Sequence, residues 1–256
     1  MLNNPVETNQ LLKKLNLPGI ANALPERNQE ALANQLSYLE FLQLLLNDEV
    51  LLRDQRRYER RLQKANFKGQ KTIENFDFNF NPNINQTIIR DLATCHFITE
   101  QFPVLIMGPC GTGKSHLAQA LGQCAIQKGY DVVFTCTQKI SDELQSAKAI
   151  NRYTQKLKSW AKIALLIIDD FGLKPLRHPQ DEDLHALIAE RCETASTIFT
   201  SNLDLHEWQQ AFSNQLLGVA TVDRLRHHAY HVILQGKSYR SVSKKNDKKM
   251  LEHNES

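Results

Sequence analysis

The stretch GPCGTGKS at residues 108–115 decides the fold of this chain. Directly before it, the run PVLIM at 103–107 has the short apolar pattern of a buried strand. Directly after it, apolar residues recur at helical spacing in HLAQALGQCAIQ at 116–127. A loop of small residues between a strand and a helix places backbone N–H groups at the positive end of that helix, where they bind anions.

Four residues of the stretch fit the pattern G-x-x-x-x-G-K-[ST]: Gly108, Gly113, Lys114 and Ser115. The glycines let N–H groups surround a triphosphate, the lysine reaches the outer phosphates, and the serine hydroxyl is a ligand for Mg²⁺. The stretch is therefore predicted to be a P-loop that binds a nucleotide with Mg²⁺. The residues predicted to bind the nucleotide are Gly108, Pro109, Cys110, Gly111, Thr112, Gly113, Lys114, Ser115 and His116.

The composition excludes several classes of protein. The chain has 256 residues, a formal net charge of +3, and 41% hydrophobic and 23% charged residues, as expected of a globular protein with one substantial core. Its five cysteines include no C-x-x-C pair, which favours reduced thiols over a disulfide or zinc framework. We find no signal peptide and no bilayer-spanning run, so we expect a cytoplasmic protein without a membrane partner.

The chain is predicted to have four parts. Residues 1–65 have helical periodicity and form a small all-helical domain, and the Asn-rich residues 66–90 form a linker that packs its alternating phenylalanines on the next domain. Residues 91–241 alternate strand and helix patterns, which indicates an α/β fold with a parallel sheet between helices. Residues 242–256 are a basic, disordered tail. Strands are expected near residues 103–107, 131–135, 164–168, 197–201 and 231–234.

Polar side chains follow two of these strands. The run ALLIIDDFG at 164–172 is a buried strand ending in two acids, of which Asp169 is predicted to hold Mg²⁺ and Asp170 to orient and deprotonate the attacking water. The next strand, STIFTSN at 196–202, ends in Asn202, which is predicted to help to position that water. The alternatives are an Asp-rich turn and an ordinary turn asparagine.

Three arginines follow later in the chain: Arg224, Arg226 and Arg240. A site that transfers a phosphoryl group gains from an added positive charge in the transition state. One of these arginines is therefore a candidate for that charge, supplied to the nucleotide of a neighbouring subunit.

These motifs together resemble the IstB/DnaC branch of the AAA+ ATPases, and most closely the IstB-type transposition helpers. The resemblance covers residues 8–241, and it rests on LLKKLNLPGIANAL, LSYLEFLQLLLNDEVLLRDQRRYERRLQKANF, GPCGTGKSHLAQALG, LLIIDDFG, STIFTSNLDLHEW and VDRLRHHAYHVILQGKSYR. It implies an ASCE-type AAA+ sheet, binding and hydrolysis of ATP, a homo-oligomer on DNA, and cooperation with a transposase.

The resemblance also implies roles by position. These are Lys114 and Ser115 as Walker A, Asp169 and Asp170 as Walker B, Asn202 as sensor 1, Arg224 as an arginine finger acting in trans, and Arg240 as a second phosphate sensor. Two positions depart from the family. Asp170 stands where AAA+ proteins usually have Glu, so water activation is expected to be slower, and Cys110 stands where Pro is common, with little effect expected.

A basic stripe near the end of the helical domain is the candidate DNA surface. Taken alone, it reads as a solvated helix face partly paired with Glu49, Asp54 and Glu59, whereas the resemblance favours contacts to the DNA backbone without sequence reading. The lysines at 244, 245, 248 and 249 are further candidates. The stripe consists of Arg53, Arg56, Arg57, Arg60, Arg61 and Lys64.

The leading hypothesis is an ATP-hydrolysing DNA-assembly factor that assists a transposase. A DnaC-like loader of a replicative helicase is the main alternative, and a nucleotide-gated binding module with almost no turnover is another, because of Asp170. A small-molecule kinase is disfavoured by the basic helical domain, and a GTPase by the absence of an N-K-x-D tetrapeptide.

Overall fold

A computed structural model of the chain describes residues 5–81, 84–236 and 238–239. The main chain divides into two compact units, residues 1–60 and residues 61–256. The predicted phosphate sensor Arg240 and the predicted basic tail, residues 242–256, lie outside the described residues.

The first unit is built from helices. These are α1 (Pro5–Lys14), α2 (Pro18–Ala33) and α3, which runs from Tyr38 to Ala65 and so continues past the unit boundary. Pro18 is the first residue of α2. A proline is favourable there because the first N–H groups of a helix have no intrahelical acceptor.

A buried carboxylate joins α2 to α3. Glu49 is 4% exposed, and its Oε2 accepts hydrogen bonds from the N–H groups of Gly19 at 2.6 Å and Ile20 at 3.2 Å. Its Oε1 accepts from Arg53 Nε at 2.7 Å. Burial alone would raise the pKa of Glu49, but these hydrogen bonds, that of Arg53 above all, lower it below its usual value. The Glu49 carboxylate thus accepts hydrogen bonds from two N–H groups at the start of α2 that have no acceptor within the helix.

Four apolar residues that recur at helical spacing on α3 form an exposed stripe. Leu39, Leu42, Leu46 and Val50 expose 79%, 50%, 49% and 55% of their surface, whereas Leu45, one position beside the stripe, is 6% exposed. Helical spacing identifies which residues share a face but not which face is buried, so the sequence pattern could not decide this.

The second unit contains a five-stranded sheet and seven further α-helices within the described residues. The strands are β1 (Val104–Met107), β2 (Val132–Cys136), β3 (Leu165–Phe171), β4 (Ser196–Ser201) and β5 (Tyr230–Ile233). The helices are α4 (Gln86–Ala93), α5 (His96–Thr99), α6 (Lys114–Gln127), α7 (Thr137–Ala149), α8 (Tyr153–Ala161), α9 (Gln180–Arg191) and α10 (Gln215–Arg226). Short 3₁₀ turns span Phe78–Phe80 and Leu205–Ala211.

The strands pair in parallel in the order β2-β3-β4-β1-β5, so the predicted α/β fold with a parallel sheet between helices is confirmed. Both faces of the sheet are covered. Ile167 packs against α6 at Gly122, whereas Leu166 and Ile168 belong to the apolar cluster with α7 to α10. Alternate residues of β3 point to opposite faces, which is why its central residues are all apolar. The strand was expected to end at Ile168 but continues through both acids to Phe171.

A buried arginine fixes the amino ends of β3 and β4. Arg191 is 2% exposed, and its guanidinium donates to Thr197 Oγ1 at 2.9 Å and to the carbonyl oxygens of Ile163 at 2.7 Å and Ser196. Burial lowers the pKa of Arg191 to about 9, so the group remains charged at neutral pH. This arginine ties α9 to the sheet at the edge opposite the P-loop.

Over residues 5–81, 84–236 and 238–239, no helix combines the length and the apolar composition that are needed to cross a membrane.

Candidate functional site

The P-loop connects β1 to α6, as predicted, and main-chain hydrogen bonds hold it on both sides. Gly108 N donates to Ser201 O at 3.2 Å, and Leu234 N donates to Met107 O at 2.8 Å. Gly108 has φ +143°, and a Cβ added there would lie 2.1 Å from Leu234 O. Only glycine can therefore occupy this position while the loop lies so close to the segment after β5.

The Lys114 side chain lies inside the loop. It is 5% exposed, and its Nζ donates to Gly108 O at 2.8 Å and to Pro109 O at 2.7 Å. Gly113, with φ +98°, caps the amino end of α6 immediately before this lysine. The ammonium group and the N–H groups at the start of the helix therefore concentrate positive charge at one point, as an anion site requires.

The two acids and Asn202 lie at the same edge of the sheet as the P-loop. Because β4 lies between β1 and β3, Asn202 follows the strand that separates the P-loop from Asp169 and Asp170. Asp169 is buried, at 5% exposure, and Asp170 is exposed. Thr200 contacts both acids, since its hydroxyl donates to Asp169 Oδ1 at 2.6 Å and accepts from Asp170 N at 2.9 Å.

One cavity of about 720 Å³ brings these parts together. It is lined by residues 110–116 of the P-loop, by Asp169, Asp170 and Asn202, and by residues of the segment before α4. Its volume lies within the range of about 300–1,000 Å³ that is usual for sites of small molecules and cofactors. A nucleotide fits this cavity both in size and in the position of the phosphate-binding loop.

The oxygen ligands in the cavity suit Mg²⁺. The hydroxyl of Ser115 and the carboxylate of Asp169 both line it, and hydroxyl and carboxylate oxygens are the hard ligands that Mg²⁺ takes, with the nucleotide phosphates and water completing its shell. The residues present therefore fit the metal that the sequence predicts.

A wall of the cavity comes from the segment predicted to be a linker. Phe76 is 6% exposed, and its ring meets that of His116 edge to face, with 5.5 Å between their centroids. Asn81 is buried, and its Nδ2 donates to Thr112 O at 2.9 Å. We did not select either residue from the sequence, although the alternation of phenylalanines indicated that this segment packs on a surface.

The surroundings of His116 favour its neutral form. Burial lowers the pKa of His116, and the neighbouring Lys71 also lowers it, which outweighs the hydrogen bond to Thr72 O. Its Nε2 lies 3.0 Å from that carbonyl oxygen. Since a carbonyl oxygen can only accept, Nε2 carries a proton and donates to Thr72 O.

Arg224 is not part of the cavity. It is exposed near the end of α10, and with Phe102 and Pro103 it lines a smaller cavity of about 130 Å³. Phe102 and Pro103 precede β1, whereas the P-loop follows β1, so the two cavities lie at opposite edges of the sheet. The four residues of β1 alone span about 13 Å. Arg224 is thus remote from the nucleotide cavity of its own chain.

The predicted DNA-binding residues all lie on α3. Three of the six form ion pairs: Arg53 with Glu49, Arg57 with Asp54, and Arg61 with Asp131. Arg53 also donates to Asn16 O at 2.9 Å, so it ties the turn between α1 and α2 to α3. Within the part of the chain that the structure describes, Arg56, Arg60 and Lys64 are exposed and form no ion pair.

Comparison with known proteins assigns the family. The model of the family described as "IstB-like ATP binding protein" matches residues 10–247. An ATP-binding protein of insertion sequence IS21 from Pseudomonas aeruginosa is 34% identical over 239 residues, which cover 93% of this chain and 90% of that protein. An ATP-binding protein of insertion sequence IS232 from Bacillus thuringiensis subsp. berliner is 35% identical over 240 residues, covering 92% and 96%.

Solved structures share the fold. The replication initiator DnaA bound to AMPPCP and single-stranded DNA aligns with a TM-score of 0.54 and 19% identity, over 70% of this chain but only 55% of the DnaA chain. The DnaC helicase loader aligns with a TM-score of 0.51 and 22% identity, over 58% of this chain and 87% of that one. DnaI aligns with a TM-score of 0.55 and 19% identity, over 65% and 92%.

Proposed function

The chain belongs to the family of IstB-like ATP-binding proteins, and from this membership and the geometry of the cavity we propose that it is a Mg²⁺-dependent ATPase that assembles on DNA and assists a transposase. The observation that carries the proposal is the single cavity lined by the P-loop, Asp169, Asp170 and Asn202. Its relatives from insertion sequences support the link to transposition.

In the proposed reaction, the N–H groups of the P-loop and the Lys114 ammonium hold the phosphates, and Ser115 and Asp169 hold the metal. When bound, Mg²⁺ neutralises charge on the phosphates. Asp170 orients a water molecule and accepts its proton while the water oxygen bonds to the γ-phosphorus. The bond from that phosphorus to the oxygen bridging to the β-phosphate breaks, which leaves ADP and inorganic phosphate. Asn202 helps to position the water.

The proposed assembly is head to tail. Arg224 lies at the opposite edge of the sheet from the nucleotide of its own chain, so an arginine finger at this position acts on the next subunit. A contact between two different surfaces of the same protein is heterologous and generates a ring or a filament. ATP bound at that contact then links the nucleotide state to assembly on DNA.

We expect the full-length protein to form multimers on duplex DNA when both ATP and Mg²⁺ are present, and not with ADP or without nucleotide. Sedimentation of the protein mixed with duplex DNA under the three conditions measures this. Identical assemblies without nucleotide, or a monomer in the presence of ATP and DNA, would contradict the proposal. A pull-down from the same ATP mixture that retains a replicative helicase instead of a transposase would favour a helicase loader.

The DNA contact has its own control within this experiment. Replacing Arg56 and Arg60 with glutamine removes two exposed charges that form no ion pair among the described residues. Because each phosphate contact releases a counterion, we expect DNA affinity to fall and its salt slope to decrease by about 2. The matched variant Arg57→Gln removes a charge that pairs with Asp54 at 3.2 Å and should have a smaller effect.

Variants of Asp170 distinguish an active ATP hydrolase from a nucleotide-gated binding module with almost no turnover. We expect Asp170→Asn to keep ATP affinity and to lower kcat by about 10²–10⁴-fold, because it removes the proton acceptor. We expect Asp170→Glu to leave kcat within about tenfold of the wild type, because both side chains end in a carboxylate that can accept the proton. Single-turnover hydrolysis of both variants measures this. A gain well above tenfold in Asp170→Glu would instead favour the slow module.

A further inference from the structure

The pairing of β3 with β4 is irregular at the two acids. The strands are in register from Leu165 opposite Ser196 to Ile168 opposite Phe199, but the next pair is Phe171 opposite Ser201. On β3 the step between these pairs is therefore one residue longer than on β4. The extra residue is a β-bulge, in which two residues of one strand face a single residue of its neighbour. Asp169 and Asp170 on β3 thus face a single residue of β4, Thr200.

The Thr200 side chain accepts a hydrogen bond from the main-chain N–H of Asp170, which lies in the bulge, and also bonds the Asp169 carboxylate. Its residue is 0% exposed, and its hydroxyl lies 2.6 Å from Asp169 Oδ1 and 2.9 Å from Asp170 N. A main-chain N–H can only donate and an ionised carboxylate can only accept. The direction of both bonds is therefore fixed: the hydroxyl accepts from Asp170 and donates to Asp169.

The same hydroxyl stabilises the unusual backbone of Asp170. This residue has φ +54°, in the left-handed region that costs an L-residue about 1 kcal/mol. With this turn Asp169 is buried at the cavity while Asp170, the next residue, is exposed beside it. In a regular strand, successive side chains would instead point to opposite faces of the sheet.

From this geometry we propose that Thr200 is a positioning residue for metal-dependent ATP hydrolysis, an inference that rests on the proposed function. Its hydroxyl occupies one carboxylate oxygen of Asp169 and so orients the other toward the water shell of Mg²⁺. By accepting a hydrogen bond from Asp170 N, it also fixes the main chain from which the water-activating carboxylate extends. One side chain that does not line the cavity therefore aligns both acids.

The test replaces Thr200 by valine, which keeps the shape and removes the hydroxyl, and by serine, which keeps the hydroxyl. We expect Thr200→Val to bind ATP normally in the presence of EDTA, while the Mg²⁺ concentration for half-maximal hydrolysis rises and kcat falls, each by about 10–100-fold, as for other partners of metal ligands. Thr200→Ser should restore both values. Mg²⁺ titrations of hydrolysis and of ATP binding measure this.

Thr197 provides the matched control. It lies on the same strand with a buried hydroxyl, which accepts from Arg191 Nε at 2.9 Å at the far edge of the sheet. Thr197→Val should lower stability without changing the Mg²⁺ requirement. If Thr200→Val does not fold, Thr200→Cys, whose thiol is a weak donor, should give an intermediate Mg²⁺ requirement.

The outcomes separate this inference from the proposed function. If the wild type hydrolyses ATP and folded Thr200→Val keeps its Mg²⁺ requirement and kcat, or if Thr200→Ser is as impaired as Thr200→Val, the inference is wrong. If the wild type does not hydrolyse ATP, the proposed function fails. In that case the Mg²⁺ dependence of ATP binding still tests Thr200, since only loss of the gain in affinity from Mg²⁺ in the valine variant supports its role.

Discussion

Lys114→Ala is expected to lower the affinity for ATP by at least about 100-fold and to stop hydrolysis and ATP-dependent assembly. A hydrogen bond to a charged group contributes about 1.5–3 kcal/mol, so losing an ammonium group that bonds more than one phosphate oxygen gives a loss of this order. Lys114 is 5% exposed inside the loop, so solvent does not replace its ammonium group readily. Equilibrium titration with a fluorescent ATP analogue measures the change.

Lys128→Ala is the matched control for this variant. Lys128 follows the last residue of α6, whereas Lys114 is the first, so about 20 Å of helix separates them. Its Nζ donates to Thr94 O at 2.6 Å, away from the cavity. We expect wild-type affinity for this variant. Tight ATP binding by a folded Lys114→Ala protein would show that the cavity is not the nucleotide site.

The sheet was predictable from the sequence because short runs of apolar and β-branched residues beside turn signals alternate with helical patterns. β1 begins one residue later than expected, and β4 begins one residue earlier. The P-loop and the acids also follow from the sequence, since parallel strands bring their carboxyl ends to one edge. Strand order brings Lys114 and Asp169 close together in space. Only the resemblance to a known family implied the type of sheet that has this order.

Three features could not be predicted, each for a physical reason. The bulge at Asp170 is a displacement by one residue, and an apolar run carries no signal of register. Glu49 pairs with the start of α2, and its partner Gly19 is thirty positions away in the chain. Arg53 bonds the same carboxylate and therefore has a structural role as well. The exposed face of α3, with Leu39 and Leu46, has the same spacing as a buried one.

Arg224→Ala is expected to lower kcat of the assembled protein by about 10³–10⁵-fold, the effect of removing an arginine finger. Its own nucleotide cavity does not contain Arg224, so ATP affinity of the unassembled chain should be unchanged. Hydrolysis measured with saturating ATP and duplex DNA, beside ATP titration without DNA, separates the two effects. Arg226→Ala, on the same exposed end of α10, is the matched control and should hydrolyse ATP normally.

Mixing variants decides whether Arg224 acts on its own chain or on its neighbour. Arg224→Ala keeps an intact cavity, and Asp170→Asn keeps an intact arginine, so each protein alone is inactive. In an equal mixture that assembles randomly, about a quarter of the head-to-tail contacts join an intact arginine to an intact cavity. Hydrolysis should then recover to about a quarter of the wild-type rate. If mixed assemblies stay inactive, Arg224 does not act on the nucleotide of the neighbouring subunit, because every other requirement for hydrolysis is present at those contacts.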